Sequence, residues 1–297
     1  MQQDHSIIKG TIIKGIGGFY YVETSGHVHE CKAKGLFRKS KITPMVGDSV
    51  LIKLGNQGSE NVIREILPRI NEFVRPSAAN VEVSLIVAAA AEPEPVFSFL
   101  DKLIVMSEKK DTQVVLVFNK CDLISREERE RIQGIYANTG YAIVFVSTYT
   151  GEGISELREL IRGRRSMLSG ASGVGKSSLA NALGDFEMET GGISRKTQRG
   201  KHTTRHVELL LGKGNVMLFD TPGFTSFEVL DMKPEELRYY YPEFEEAEEP
   251  CRFGSSCVHV SEPDCGVKAA VAEGKISPER YEGYLKIYGE LQEKRVW

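Results

Sequence analysis

The chain has 297 residues, 41% of them hydrophobic, and a formal net charge of −3. That length supports two or three domains and a substantial core, and the small net charge excludes neither nucleic-acid nor protein partners. The longest apolar run, Val83 to Ala91 broken only by Ser84, is too short to span a bilayer, and no basic segment followed by an apolar stretch opens the chain. A cytoplasmic chain with no membrane partner is therefore expected. Five cysteines in such a setting, three of them close to a histidine, favour a metal over disulfides. Cys31 and Cys121 are expected to be free structural thiols.

The first 70 residues read as all-β. Short β-rich runs at Thr11–Ile13, Phe19–Val22, Val28–Cys31, Val50–Leu54 and Val62–Ile66 are separated by turns such as Gly15–Gly18 and Gly47-Asp48. Five such strands predict a small closed barrel, with an OB-fold the leading form and an SH3-like barrel the alternative. Residues 1–70 carry 10 Lys/Arg against 6 Asp/Glu, whereas residues 231–270 carry 4 against 10. A mildly basic N-terminal module suits nucleic acid, although ordinary surface variation produces the same imbalance. Pro68 and Pro76 mark a linker.

From about residue 80 the pattern becomes strand–helix alternation, which predicts a doubly wound α/β sheet. Continuous apolar runs at Val83–Ala89, Val114–Phe118, Ile143–Val146, Met167–Leu168 and Val216–Phe219 read as buried parallel strands. Helices are expected over Phe97–Lys109, Arg126–Thr139, Ile154–Ile161 and Lys176–Leu183, and an antiparallel edge strand over His206–Leu211. An acidic helical segment, Pro234–Glu249, follows. Ser277 as N-cap and Pro278 at the first helical position then open a last helix. Tyr281, Tyr284, Leu285, Tyr288 and Leu291 form its packing stripe. Domain boundaries are expected at 1–70, 71–229 and 230–297.

Three motifs carry chemistry. Gly170-Ala171-Ser172-Gly173-Val174-Gly175-Lys176-Ser177, followed by Ser178, fits GxxxxGK[ST] between a strand and a helix. Its backbone N–H groups can cradle phosphates, Lys176 can reach the β- and γ-phosphates, and the Ser177 hydroxyl can ligate Mg²⁺. Asp220-Thr221-Pro222-Gly223 ends an apolar strand. There Asp220 can hold Mg²⁺ through water and the Gly223 N–H can sense the γ-phosphate. Asn119-Lys120-Cys121-Asp122 reads as a guanine-selecting NKxD loop. The Asp122 carboxylate can accept from N1–H and the 2-amino group of guanine, which adenine lacks, and Lys120 can lie along the base. Ser147 and Thr148 supply the loop on the other side of the base. A general P-loop ATPase or nucleoside kinase is opposed by NKxD.

Gly191–Arg205, polar and Gly-rich, is the expected first switch. Thr203 or Thr204 is its Mg²⁺-binding threonine, and the sequence leaves the choice open. The residue after Gly223 is Phe224, which cannot orient water by hydrogen bonding, so intrinsic hydrolysis should be slow. His202 is the candidate helper. Cys251, Cys257, His259 and Cys265 give C-x5-C-x-H-x5-C, a ligand set for a closed structural Zn²⁺ site.

The order of these motifs is rotated. In an ordinary GTPase the phosphate loop comes first and NKxD last, whereas here NKxD leads. This circular permutation, with an N-terminal barrel and a C-terminal Cys/His module, resembles the RsgA family, also called YjeQ or YloQ. The carriers of the resemblance are Asn119–Asp122, Gly170–Ser178, Arg199 to Thr204, Asp220–Gly223 and Cys251/Cys257/His259/Cys265. The resemblance implies an OB-fold barrel contacting ribosomal RNA, a central permuted P-loop GTPase domain and a mostly helical zinc-binding domain. It further implies GTP hydrolysis stimulated by the small (30S) ribosomal subunit and its 16S rRNA during late maturation. A monomer is expected. The rival from another class is an RNA-binding assembly scaffold that senses GTP or GDP with little turnover, which the absence of a water-orienting Gln favours.

Overall fold

A computed structural model describes residues 7–33, 42–55, 59–188, 207–221, 231–248 and 254–294. The chain divides into two compact units. One comprises Met1–Val83, Arg158–Leu168 and Ala180–Phe224, and the other Ser84–Leu157, Ser169–Leu179 and Thr225–Trp297.

The first unit contains the barrel. Strands β1 (Ile7–Ile16), β2 (Phe19–Thr24), β3 (His27–Ala33), β4 (Ser49–Lys53) and β5 (Asn61–Ile66) pair in the order β1-β2-β3-β5-β4, and β4 returns to β1. Only β3 and β5 run parallel. This is the five-stranded OB arrangement. The hairpins turn on Gly17-Gly18 and Ser25-Gly26, all four with positive φ, as two-residue turns matching strand twist require. Ile12, Val22, Cys31, Val50, Ile52 and Ile63 fill the barrel. The alternation of buried and outward residues along β4 puts Val50 and Ile52 on one face.

The loop before β4 is fastened to the rest of the unit. Gly47 has φ +92, and a Cβ there would stand 2.0 Å from the Ala79 carbonyl oxygen. Its own carbonyl accepts from Asn80 Nδ2 at 3.0 Å and Arg165 Nη1 at 3.1 Å. The next residue, buried Asp48, forms a bidentate pair with Arg69 at 2.7 and 2.9 Å. Short strands β6 (Glu72–Phe73) and β7 (Ala78–Ala79) occupy the stretch between Pro68 and the first long apolar strand.

Beyond the barrel lie β11 (Arg165–Ser169), β12 (Glu208–Gly212) and β13 (Val216–Asp220). β11 and β13 are parallel, and β12 is antiparallel to β13. The expected edge strand is β12, but it is not an edge, because its other side pairs with barrel strand β1 at Lys14↔Glu208. A sequence pattern registers half-burial and does not report which neighbour supplies it.

The second unit holds β8 (Val83–Ala89), β9 (Gln113–Asn119) and β10 (Ala142–Val146) in the order β10-β9-β8, with α1 (Phe97–Glu108) and α2 (Arg126–Ile135). β9 and β10 are parallel, with Phe118 opposite Phe145. Ser125 caps α2 by accepting from Glu128 N at 3.2 Å. The helix stops at Ile135, four residues short of the expected end, where Tyr136 turns inward and is 1% exposed. Helices α3 (Ile154–Ile161) and α4 (Lys176–Gly184) follow the sequence reading. Arg158 donates to the Ala182 and Leu183 carbonyls at 2.8 and 2.9 Å, satisfying the end of α4.

The C-terminal region packs within the second unit. The segment expected to be one acidic helix is instead 3-10 turns at Pro234–Tyr240 and Pro242–Phe244 and a short α5 (Glu245–Glu248). Pro242 lacks an N–H and disfavours helix at the residue before it, so the ladder breaks there. After α6 (Gly266–Ala272), α7 (Pro278–Lys294) opens as read, with Ser277 Oγ accepting from Glu279 N at 3.2 Å. Tyr284, Tyr288 and Leu291 are buried as expected, and Tyr281 and Leu285 are half-buried beside them.

The face of α7 also buries Arg280, 1% exposed. Its guanidinium meets Asp101 of α1 at 2.5 Å and Glu243 at 2.6 Å, and stacks against Tyr241 and Tyr136 at 4.4 and 5.4 Å. Burial pushes the Asp101 carboxyl up to about 6, against the pull of Arg280. Gly283 is a close approach, since a Cβ there would stand 2.0 Å from Asp101 Oδ2. Removing one partner of such a pair leaves a buried charge alone, which costs about 3–5 kcal/mol. Arg280→Met should therefore lower unfolding free energy by about that amount in a urea titration, and an unchanged midpoint would remove the pair from the account of this packing.

Candidate nucleotide site and metal cluster

The nucleotide motifs of the second unit meet at the C-terminal ends of β8, β9 and β10, where open α/β sheets bind ligands. Gly170 leaves β11 with φ +151, and a Cβ would stand 2.0 Å from the Val87 carbonyl oxygen, so the loop passes directly against β8. Gly173 and Gly175 also have positive φ, +82 and +90. The Val174 side chain is buried while Ser172 and Gly173 are exposed. Lys176 Nζ donates to the carbonyls of Gly170 and Ala171 at 2.8 and 2.7 Å, and burial lowers its pKa from the usual lysine value. Ser177 and Ser178 open α4, which points its N-terminal N–H groups at the loop.

The NKxD loop is tied to this phosphate loop by one side chain. Asn119, 1% exposed, donates from Nδ2 to the Val174 carbonyl at 2.9 Å and accepts at Oδ1 from Lys120 N at 2.8 Å. A Cβ on Gly175 would stand 2.3 Å from that Nδ2, so glycine is what lets the loops come together. Lys120 sits at φ +61 and its Nζ donates to the Glu92 carbonyl. Asp122 is exposed in the 3-10 turn Cys121–Leu123.

Cys121 is buried and free, and burial first, then Glu152, push its thiol up to about 11. Cys31 in the barrel is likewise buried, free and raised to about 11 by burial. Both are inert packing thiols. Buried Ser147 uses its hydroxyl to accept from Tyr149 N and Thr150 N at 3.2 and 3.1 Å. The turn it closes includes half-buried Thr148.

In the first unit, Asp220 ends β13 directly opposite Glu208 of β12. Burial, then the charge of Glu208, raise its carboxyl above the usual range. Oxygen donors of this kind suit a hard divalent cation such as Mg²⁺. His202, Thr203, Thr204, Gly223 and Cys251 lie outside the described residues.

The candidate metal cluster among the described residues is built from Cys257, His259 and Cys265, all buried. The two sulfurs are 3.8 Å apart, and each is 3.3 Å from His259 Nδ1. A tetrahedral zinc with bonds of about 2.3 Å to sulfur and 2.0 Å to nitrogen has edges of about 3.5–3.8 Å, so three corners fit. His259 takes φ +58 to present Nδ1. Its carbonyl accepts from Tyr281 Oη at 2.7 Å, and the Val258 carbonyl accepts from Tyr284 Oη at 2.8 Å. Arg238 Nη1 donates to the Cys257 carbonyl at 3.0 Å, and Glu262 accepts from Val258 N and Val260 N at 2.7 and 2.9 Å. These supports come from residues the motif does not name, and only their nearness in the fold identifies them.

An RsgA GTPase family profile matches residues 66–230, and an RsgA N-terminal domain profile matches residues 9–62. The chain belongs to the RsgA GTPase family. Small ribosomal subunit biogenesis GTPase RsgA of Agathobacter rectalis is 46% identical over 301 residues, covering 97% of this chain and 99% of that protein. The protein of the same name from Caldanaerobacter subterraneus subsp. tengcongensis is 47% identical, with 97% of each covered. Among solved structures, YjeQ from Thermotoga maritima superposes with a TM-score of 0.82 at 35% identity, covering 96% of this chain and 99% of that one. YloQ, described as a circularly permuted GTPase, gives 0.81 at 34% identity with 99% of each covered. The barrel, the permuted RsgA GTPase core and the helical Cys/His region are thus the family's architecture. Among the described residues no helix is long and apolar enough to cross a membrane.

Two outcomes follow from this geometry. Asn119→Ala strips a partner from the Val174 carbonyl and should weaken binding of fluorescent GDP by about tenfold, because an orphaned buried polar group costs about 1–3 kcal/mol; unchanged affinity would show that the tether does not shape the site. Elemental analysis of the purified chain should find one zinc per molecule, lost in Cys257→Ser, and a metal-free chain with the same melting temperature would contradict a structural zinc.

Proposed function

We propose that this chain hydrolyses GTP and acts on the small ribosomal subunit during its late maturation, with hydrolysis timing its own release. The observation that carries the nucleotide reading is the Asn119–Val174 hydrogen bond, which joins a guanine-type loop to a phosphate loop in one unit. The ribosomal partner rests on the relatives' name, small ribosomal subunit biogenesis GTPase.

In this reading Asp122, exposed beside the base site, selects guanine, and Asn119, Lys120, Cys121, Ser147 and Thr148 shape the pocket around it. Residues Gly170 to Ser178 bind the phosphates. Lys176 trades its two carbonyl partners for β- and γ-phosphate oxygens, a stronger charge-assisted contact. Ser177, Asp220 and one of Thr203 and Thr204 offer oxygens to Mg²⁺, whose charge offsets that of the phosphates when it is bound. Gly223 reads the γ-phosphate. Water attacks directly with no covalent enzyme intermediate, and His202 orients it in place of the side chain Phe224 lacks. Hydrolysis by the chain alone is then slow and rises on the subunit.

Cys251 completes the zinc site as fourth ligand, leaving no open position for substrate, so the zinc holds the C-terminal module together. The barrel contacts 16S rRNA. The protein acts as a cytoplasmic monomer, with domains at 1–70, 71–229 and 230–297. Phe224 also supports a second reading, an RNA-binding scaffold that senses GTP or GDP with little turnover.

Single-turnover hydrolysis with and without purified small subunits separates the two. A subunit-dependent acceleration is expected, and none at saturating subunit would favour the scaffold. Asp122→Asn should move nucleotide preference from guanosine towards xanthosine triphosphate in a direct titration; retained guanine preference would place base selection elsewhere.

A further inference from the structure

Three charged residues stand in one row across three adjacent strands. Lys14 of barrel strand β1 is in register with Glu208 of β12, and Glu208 is in register with Asp220 of β13. Directly opposed residues of an antiparallel pair share a face, with Cβ atoms about 4.5–5.5 Å apart. Lys14 Nζ meets Glu208 Oε2 at 2.8 Å, which confirms that the two side chains point the same way. Glu208 therefore has a cation on its barrel side and a like charge on its β13 side. Like charges set opposite each other are unfavourable in a sheet unless something positive lies near them.

We propose that Glu208 is a positioning residue for the divalent metal at Asp220, and that Lys14 of the barrel governs how much of its charge the metal feels. The inference rests on the reading of Asp220 as the Mg²⁺ carboxylate. Glu208 deepens the negative potential at Asp220 without itself having to touch the metal. Lys14 draws part of that charge away. The row thus connects a lysine of the barrel to the metal-binding end of β13 within a single compact unit. Any anion that takes Lys14 from Glu208 acts in the same direction as deleting the lysine.

The two links differ in strength. Lys14 and Glu208 are about a third exposed, 34% and 36%. Solvent screens such a pair, so its removal changes metal affinity only about threefold. Glu208 faces a half-buried carboxylate, and contacting charged residues couple more strongly, so its removal is expected to matter about tenfold.

The test uses the full chain and the Mg²⁺ concentration that gives half-maximal retention of a fluorescent GDP. Asp220→Asn is the control and should raise that concentration most. Glu208→Gln should raise it about tenfold, with Glu208→Asp intermediate. Lys14→Met should lower it about threefold, and should have no such effect in the Glu208→Gln background. Melting temperatures accompany each variant, since a purely structural Glu208 would shift stability and leave the Mg²⁺ midpoint in place. If Asp220→Asn raises the midpoint while Glu208→Gln does not, the inference is overturned and the Asp220 reading stands. If Asp220→Asn changes nothing, that underlying reading fails. Should Glu208→Gln not fold, Lys14→Met decides: an unmoved midpoint overturns the proposal. An equal Lys14→Met shift in both backgrounds also overturns it, because the lysine then acts as a diffuse charge and not through Glu208.

Discussion

One buried amide joins the NKxD loop of this chain to its glycine-rich loop. Asn119 reaches from the end of β9 to the Val174 carbonyl in the phosphate loop, and its other face fixes the backbone of Lys120. The bond is buried, so neither partner has water as a substitute, and the geometry of both loops follows from keeping it. Glycine at 175 is a consequence, because any side chain there would collide with the amide. Glycine at 170 follows from the loop's contact with β8. The two loops lie 55 residues apart in the chain, and this side-chain contact brings them together.

The two ends of the chain are fastened by different means. The barrel is joined to its unit by directional hydrogen bonds around Gly47 and the Asp48–Arg69 pair, and by the strand pairing of β1 with β12. The C-terminal region is fastened by buried charge: Arg280 lies between two carboxylates and two aromatic rings, one carboxylate and one ring from the α/β core. A buried ion pair of this sort contributes little net stability compared with apolar packing, while losing one partner leaves a buried charge alone. The Cys257–His259–Cys265 cluster lies in the same core, against Phe244 and Tyr284, so aromatic packing helps hold its three ligand atoms together.

Strand and helix periodicity, the glycine spacing of the phosphate loop, NKxD and the Cys/His spacing were all readable from the chain, because each depends on local backbone demands or on ligand chemistry. The failures share a cause. The segment from Pro234 read as one helix because its composition is helical, yet Pro242 divides it into 3-10 turns. The strand at Glu208 read as an edge because nothing in its own residues announces the barrel strand beside it. No local pattern marks Arg280, a charge whose partners are 37 and 179 residues away. The same holds for Glu208 and Lys14, whose pairing is set by strand register.

By itself, then, the sequence determined which motifs the chain carries: GxxxxGK[ST], NKxD, the clustered Cys and His residues and their rotated order. These are encoded by residue type at short spacing, which the backbone enforces wherever the segment lies. Tertiary structure alone decided which of these parts touch. It brought Asn119 to Val174, set Lys14, Glu208 and Asp220 in one row, and buried Arg280 between Asp101 and Glu243. Such contacts join residues far apart in the chain, and their energies depend on burial and register, neither of which exists before the chain has folded.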